Sequence, residues 1–370
     1  MLKVAERLRK MKSYNHLYEQ YISDENIKLA IKNVCKHKLK RRRFRELHDN
    51  PDKYIEWIRS EAIDFRNDPH IPVEIYDGIQ RKKRTIIVPT FREQIIHHMV
   101  VNVLKPVIMR PMYEHSYGSI PKRGGTMGMK RIKRWLAHDT KNTKYCLKMD
   151  IRKYFDSVPH EIVIERLTKQ IHDERFLRIL LEIVSVNETG LPLGFYTSQW
   201  LANWYLTELD HYIKEELGAV HYIRYMDDMV IFGSNKRKLH KMRKEIDKYL
   251  RSNLGLHLKG NWQVFPIRAR FLDFMGFRFY RDRVTLRRSI LFKACRKAKR
   301  MSKEKPTIYA VKQVMSYLGW FSQTDTYFIF KDRFARYINV QYMKRRISRY
   351  DKRMAKLSGG LQASGCVCEG

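Results

Sequence analysis

Residues 220–233 read VHYIRYMDDMVIFG, two apolar runs joined by Tyr225-Met226-Asp227-Asp228. The pattern predicts two strands and a tight acidic turn between them. Adjacent carboxylates at such a turn repel and raise each other's pKa unless a cation sits between them. Mg²⁺ meets that need, because it prefers carboxylate and phosphate oxygens and keeps several waters. A bare Asp-Asp dipeptide is more simply a solvated turn. The apolar strands on both sides favour the metal reading.

A second acidic stretch lies upstream. Residues 144–151, KYCLKMDI, form a short strand-like run with an acid, Asp150, at its end before Ile151, and Arg152-Lys153-Tyr154-Phe155-Asp156 follow. A carboxylate at a strand end can reach a neighbouring strand. Beside Asp227 and Asp228 it would complete a clamp for two metal ions, one activating a hydroxyl and one stabilising a leaving pyrophosphate. Neither stretch is decisive alone; together they are far more specific.

The rest of the chain gives these sites a setting. Lys+Arg number 75 against 39 Asp+Glu, a net charge of +36, which calls for a polyanionic partner. The basic residues are dispersed and not gathered on one amphipathic helix, so nucleic acid fits better than a membrane surface. With 44% hydrophobic and 12% aromatic residues, the chain can build a sizeable core, and its 370 residues suggest two or three domains. It shows no membrane span and no signal peptide. Its 5 scattered cysteines fit a reducing cytoplasm.

Residues 1–70 read as mostly helical, interrupted by the basic run Lys38-Leu39-Lys40-Arg41-Arg42-Arg43, a phosphate-contact candidate. An Asp77-Gly78 pair between two strand-like runs predicts a hairpin over 71–89. Ile95, Met99 and Val103 predict a helix. Helices are expected over about 159–185, 198–217 and 235–253, a second hairpin over 270–286, and basic helices from Ser289 to about Lys356. Strand, helices, acidic hairpin, helix is the order of an α+β unit with helices backing a small sheet.

YMDD in an apolar hairpin, preceded by a strand ending in D-I-x-x-Y-F-D, resembles the palm of a reverse transcriptase. The resemblance implies a right-hand polymerase: an amino-terminal helical extension (1–70), fingers with part of the palm (71–143), palm (144–288), helical basic thumb (289–356) and a disordered tail (357–370). It implies catalysis by Asp150, Asp227 and Asp228, with two Mg²⁺ ions (Mn²⁺ as a substitute) at these residues and Ile151. Phe155 matches an aromatic gate against a ribose 2′-hydroxyl, and Arg84 matches a fingers arginine on the incoming dNTP. Lys82 and Lys83 are phosphate candidates beside it, and Lys259 falls near a motif that supplies a general acid. Template and primer contacts fall on Arg123, Ser198, Gln199, Tyr225 and Met226. Phe274-Met275-Gly276 resembles a primer grip. The implied partners are an RNA template, a DNA or RNA primer, and dNTPs.

Most of the family has Gln-Gly where this chain has Leu193-Gly194. The form L-G-x-x-x-S-Q, ending at Gln199, resembles the polymerases of diversity-generating retroelements, which miscopy adenines and work with a small basic accessory protein. Gln can hydrogen-bond around the nucleotide pocket; Leu193 cannot. Glu93-Gln94 departs from the Asp-Arg often found there. A phage-defence reverse transcriptase and an inert RNA-binding scaffold are the alternatives. Cys366-x-Cys368 could bind metal, but two thiolates cannot close a tetrahedral site.

Overall fold

The structure, a computed structural model, describes residues 14–77, 82–302 and 306–363. The expected Asp77-Gly78 turn and the Cys366-x-Cys368 pair therefore fall wholly or partly outside the described residues. Of the described residues, those up to Gly128 and from Asp139 to Ile267 form one compact unit. Met129–His138 and the residues from Arg268 onward form a second.

The first unit begins with short helices α1 (Leu17–Ile22), α2 (Asp24–Cys35), α3 (Arg42–Asp49) and α4 (Ile55–Ile63). A two-stranded antiparallel ribbon follows, β1 (Val73–Asp77) on β2 (Lys82–Ile86), with Ile75 opposite Arg84. Helix α5 (Phe91–Met109) starts at a capping box, in which the Thr90 hydroxyl and the Glu93 carboxylate each accept the other residue's backbone N–H. Buried Glu93 also accepts from the Asp68 amide at 2.9 Å and stands 2.8 Å from His70 Nε2. Its neighbour Gln94 accepts from Lys38 Nζ at 2.7 Å. The Glu93-Gln94 departure thus has a local structural use.

The palm-like part is a five-stranded sheet. Strands β3 (Ser116–Tyr117), β4 (Tyr145–Asp150), β5 (His221–Tyr225), β6 (Asp228–Gly233) and β7 (Gln263–Pro266) run in the order β3-β5-β6-β4-β7. β3 is parallel to β5; the other pairings are antiparallel. Met229–Phe232 are all buried, as a central strand covered on both faces requires.

Helix α6 (Gly125–His138) leads from the first unit into the second. Helices α7 (Tyr154–Ser157), α8 (His160–Thr168), α9 (Glu174–Val184), α10 (Tyr196–Tyr205) and α11 (Thr207–His211) follow β4. The continuous helix expected over 159–185 is two. Asp173 accepts the Phe176 amide and starts α9 afresh, a side-chain cap that outcompetes helix continuation. The helix expected over 198–217 is likewise broken, after Tyr205, and closes in a π-turn over Tyr212–Glu216. Helix α12 (Lys236–Leu254) matches its expected span, capped by Asn235 and ended by Gly255 at φ 60°.

The second unit holds a three-stranded sheet, β8 (Leu272–Phe274), β9 (Phe277–Phe279) and β10 (Val284–Leu286). Helices α13 (Arg288–Met301), α14 (Ile308–Ser316), α15 (Leu318–Phe321), α16 (Tyr327–Arg333) and α17 (Val340–Ala363) complete it. Helix α17 continues past residue 357, so part of the segment expected as a disordered tail is helical. The expected boundary at 288 also falls elsewhere: the hairpin at 272–279 groups with the helical end of the chain.

Candidate active site

Register brings the two acidic stretches together. Asp150 ends β4 opposite Asp228, and Asp228 opens β6 opposite Tyr225. Met226 and Asp227 are the two loop residues of the β5–β6 hairpin. Met226 has φ 55°, a left-handed conformation that a two-residue hairpin loop demands and that glycine or asparagine normally supplies. It is held there: its amide donates to Tyr117 O at 3.1 Å, and its carbonyl accepts from Arg224 Nη1 at 3.0 Å.

A cavity of about 950 Å³ opens beside the turn. Asp150, Asp227 and Asp156 line it together with Lys83, Arg84, Arg152, Lys153 and Lys259. Ile151, Phe155, Leu193 and Met226 also reach its wall. Asp228 is not among the lining residues. Asp227 is the last loop residue and Asp228 the first of β6, and the charges of both Asp150 and Asp228 act on Asp227.

The electrostatics suit a cation. Burial, then the negative charges of Asp150 and Asp228, push the Asp227 carboxyl up to about 7. Asp150 Oδ1 is buried without a hydrogen-bond partner, and Oδ2 lies 3.6 Å from Lys259 Nζ. A divalent ion would satisfy the orphaned oxygen and favour the ionised form of Asp227. Among the described residues no three His, Cys, Asp or Glu side chains enclose a metal by themselves. Water, phosphate or main-chain oxygens would fill the remaining positions, which is how Mg²⁺ usually binds. Ile151, buried and bridged to Leu258, has only its main chain to offer.

The remaining expected residues divide. Arg84 and Lys82 both lie on β2, and Lys83 pairs with Glu74 at 2.6 Å. The Leu193 carbonyl accepts from the Ile87 amide at 2.7 Å. Gly194, at φ 111°, packs so closely that an added Cβ would stand 2.1 Å from Ile87 O. Arg123 turns inward and donates to Tyr113 O at 3.1 Å. Gln199 is exposed, but Ser198 is only 2% exposed, so the template contact expected of its side chain does not fit its burial in α10. Phe274, Met275 and Gly276 form the β8–β9 turn in the second unit, where Phe274 is fully buried and belongs to the local core.

Sequence reasoning missed the polar network beneath the turn, built on Arg224, Asp210 and Asn203. Its signal was present: an arginine inside the apolar run VHYIRYM has to find a partner when the strand is buried.

The family model described as reverse transcriptase (RNA-dependent DNA polymerase) matches residues 76–279, more than half of the chain. The chain belongs to the reverse transcriptase family. Its α+β architecture is accordingly that of the family's right-hand polymerases. Protein YkfC of Escherichia coli (strain K12) is 24% identical over 246 residues, covering 55% of this chain and 64% of that protein. Retron Ec73 reverse transcriptase of Escherichia coli is 26% identical, covering 51% of this chain and 62% of that one. Group II intron-encoded protein LtrA of Lactococcus lactis subsp. cremoris is 27% identical over 36% of this chain and 24% of its own length. The chain thus spans less than two thirds of each of these relatives. A solved structure of telomerase from Candida albicans with a fragment of telomeric RNA is similar at TM-score 0.44 and 11% identity, over 67% of this chain and 54% of that chain. Reverse transcriptases generally use divalent metal ions. Among the described residues no helix is long and apolar enough to cross a membrane.

Proposed function

We propose that this chain is an RNA-directed DNA polymerase that extends a primer on an RNA template, and that it copies with relaxed fidelity. The observation that carries the reading is the pairing of Asp150 with the Met226-Asp227 turn at one cavity that also holds Arg84, Lys83, Lys153 and Phe155. Carboxylates for a cation, cations for a triphosphate and an aromatic ring for a sugar occur there together.

In this reading Asp150 and Asp227, with Asp228 beside them, hold two Mg²⁺ ions, for which Mn²⁺ can substitute. When bound, these ions lower the pKa of the primer 3′-hydroxyl and neutralise charge on the triphosphate. Arg84, Lys83 and Lys153 bind the phosphates of the dNTP. The 3′-hydroxyl loses its proton to water as its oxygen attacks the α-phosphorus, the bond from the α-phosphorus to the bridging oxygen of the β-phosphate breaks, and pyrophosphate leaves. Lys259, whose Nζ lies 3.6 Å from Asp150 Oδ2, would give it a proton. Phe155 fills the space a ribose 2′-hydroxyl would need. Rate comes from positioning and charge neutralisation.

Leu193 supports the finer reading, a diversity-generating polymerase with errors at adenine, because its side chain cannot hydrogen-bond a nucleotide. A small basic protein that carries the RNA belongs to the same reading.

The test is dNTP incorporation on a primed RNA template with Mg²⁺, followed by sequencing of the cDNA. Asp227→Asn should reduce extension by at least about 100-fold. Errors concentrated opposite adenine support the diversity-generating role. Even, low errors assign the chain to another bacterial reverse-transcriptase class, such as phage defence. If the wild-type chain fails to extend even with cell extract added, an RNA-binding scaffold replaces the polymerase.

A further inference from the structure

Arg224 is fully buried on a central strand, bonded to the equally buried Asp210 of α11. Its Nε and Nη2 donate to the two Asp210 carboxylate oxygens at 2.7 and 2.6 Å. Nη2 also reaches Ser116 Oγ and Asn203 O, each at 3.1 Å. Nη1 reaches Asn203 Oδ1 at 3.3 Å and Met226 O at 3.0 Å. Asp210 accepts further bonds from Tyr222 OH at 2.7 Å and Ser116 Oγ at 3.0 Å.

A buried ion pair is weak grounds for stability, because well-packed apolar side chains of the same volume do as well or better. What an apolar pair could not do is grip the Met226 carbonyl. That carbonyl shares a rigid plane with the Asp227 amide, so fixing its oxygen fixes the plane from which the Asp227 side chain departs. Every polar handle of Met226 is tied down in the same way. Its amide is on Tyr117 O, and its sulfur accepts from Asn203 Nδ2 at 3.2 Å. Asn203 Nδ2 also donates to Gly118 O at 3.1 Å, which joins the turn to the loop after β3. Without these restraints a methionine at φ 55° would relax toward the ordinary right-handed or extended regions.

We propose that Arg224, held by Asp210, is the positioning residue for Asp227: through the Met226 carbonyl it sets the gap between Asp227 and Asp150 at which a divalent cation is taken up. The inference rests on the metal-dependent polymerase reading. Partners that orient metal ligands are typically worth 10–100-fold in metal affinity.

The experiment is Mn²⁺ binding to the full chain by electron paramagnetic resonance, with Mn²⁺ alone as the probe. Thermal melting confirms that each variant is folded. Arg224→Lys keeps the charge but cannot grip Asp210 bidentately and Met226 O at once. It should weaken Mn²⁺ binding about tenfold. Primer extension should need correspondingly more Mn²⁺ yet return to within about threefold of wild type at saturation, a defect in metal uptake and not in the chemical step. Asn203→Ala, which removes the Met226 sulfur contact and one Arg224 acceptor, should weaken binding about threefold. Unchanged Mn²⁺ affinity in folded Arg224→Lys overturns the proposal, and if that variant does not fold, unchanged affinity in Asn203→Ala does so. Asp227→Asn separates this inference from the reading beneath it. If that variant binds Mn²⁺ as tightly as wild type, the metal site itself is misassigned. If it loses binding while Arg224→Lys keeps it, only the positioning role falls.

Discussion

His97 stands on α5 with no exposure, both ring nitrogens without a hydrogen-bond partner, and its ring 4.4 Å from that of Phe195, one residue past Gly194. Burial, then His98 and His70, lower it from 6.5 to about 3. A depressed folded pKa stabilises the fold above the unfolded value and loses that contribution as pH falls toward the folded one. His97 should therefore cost the folded chain about 3 kcal/mol at pH 4 and nothing near pH 8. Urea unfolding of wild type and His97→Leu at both pH values checks this. The variant should gain on wild type by that amount on acidification, and a gap independent of pH would remove His97 from the acid response. Leu193 supplies a second residue-scale prediction. Leu193 is among the residues that line the cavity, and its side chain has no donor or acceptor to offer. Leu193→Gln should lower misincorporation opposite adenine by about tenfold, the scale of one pocket hydrogen bond. Sequencing of cDNA from the two forms decides it, and equal error rates would leave Leu193 as a packing residue only.

The segment Gly190–Phe195 works as a strap between elements. The Leu191 amide donates to Phe155 O at 2.7 Å, and the Gly190 carbonyl lies 2.7 Å from His160 Nε2. At the other end, Leu193 O takes the Ile87 amide, next to the strand that carries Arg84. The strap therefore links the proposed sugar gate to the proposed phosphate clamp through main-chain bonds. Gly194→Ala would drive a Cβ into Ile87 O from a φ of 111°. It should lose about 2 kcal/mol or more of stability and raise KM for dNTP about tenfold by loosening that link. Gly319→Ala, where an added Cβ meets nothing within 4 Å, is the control and should match or exceed wild-type stability. Equal melting temperatures for the two variants would contradict the strap. Such a link was hardly legible in the sequence, because bonds between main chains of distant segments leave no side-chain pattern, only the glycines that make room for them. The hairpins at 221–233 and 272–279 were legible, since short apolar runs on either side of a tight turn read as paired strands. The break between α8 and α9 was not, because apolar periodicity runs past Asp173 and a single capping side chain decides against it. The cavity lies between: its acids stand out as a pattern in the sequence, whereas nothing in the sequence singles out Arg152 and Lys153, which line the wall beside them.

At the scale of the whole molecule, charge dominates. A chain of net charge +36 repels itself, and that repulsion is relieved where phosphates replace mobile counterions. In the proposed reading the hairpin and cavity would carry the chemistry on a nucleic acid, and the excess of cations would hold it with little regard for sequence. Binding to an RNA–DNA hybrid should weaken by about 10³-fold or more between 50 and 200 mM salt if six or more phosphates are neutralised. Two hybrids of unrelated sequence and equal length should give the same slope, because A-form shape and backbone are what such a surface reads. Asp227→Asn should leave that slope unchanged in metal-free buffer, since a carboxylate at the cavity displaces no counterion from the nucleic acid. Fluorescence anisotropy at several salt concentrations measures all three. A shallow slope would mean that most of the 75 basic residues face solvent or acidic neighbours, and that the chain's hold on its template comes from local contacts near the cavity instead.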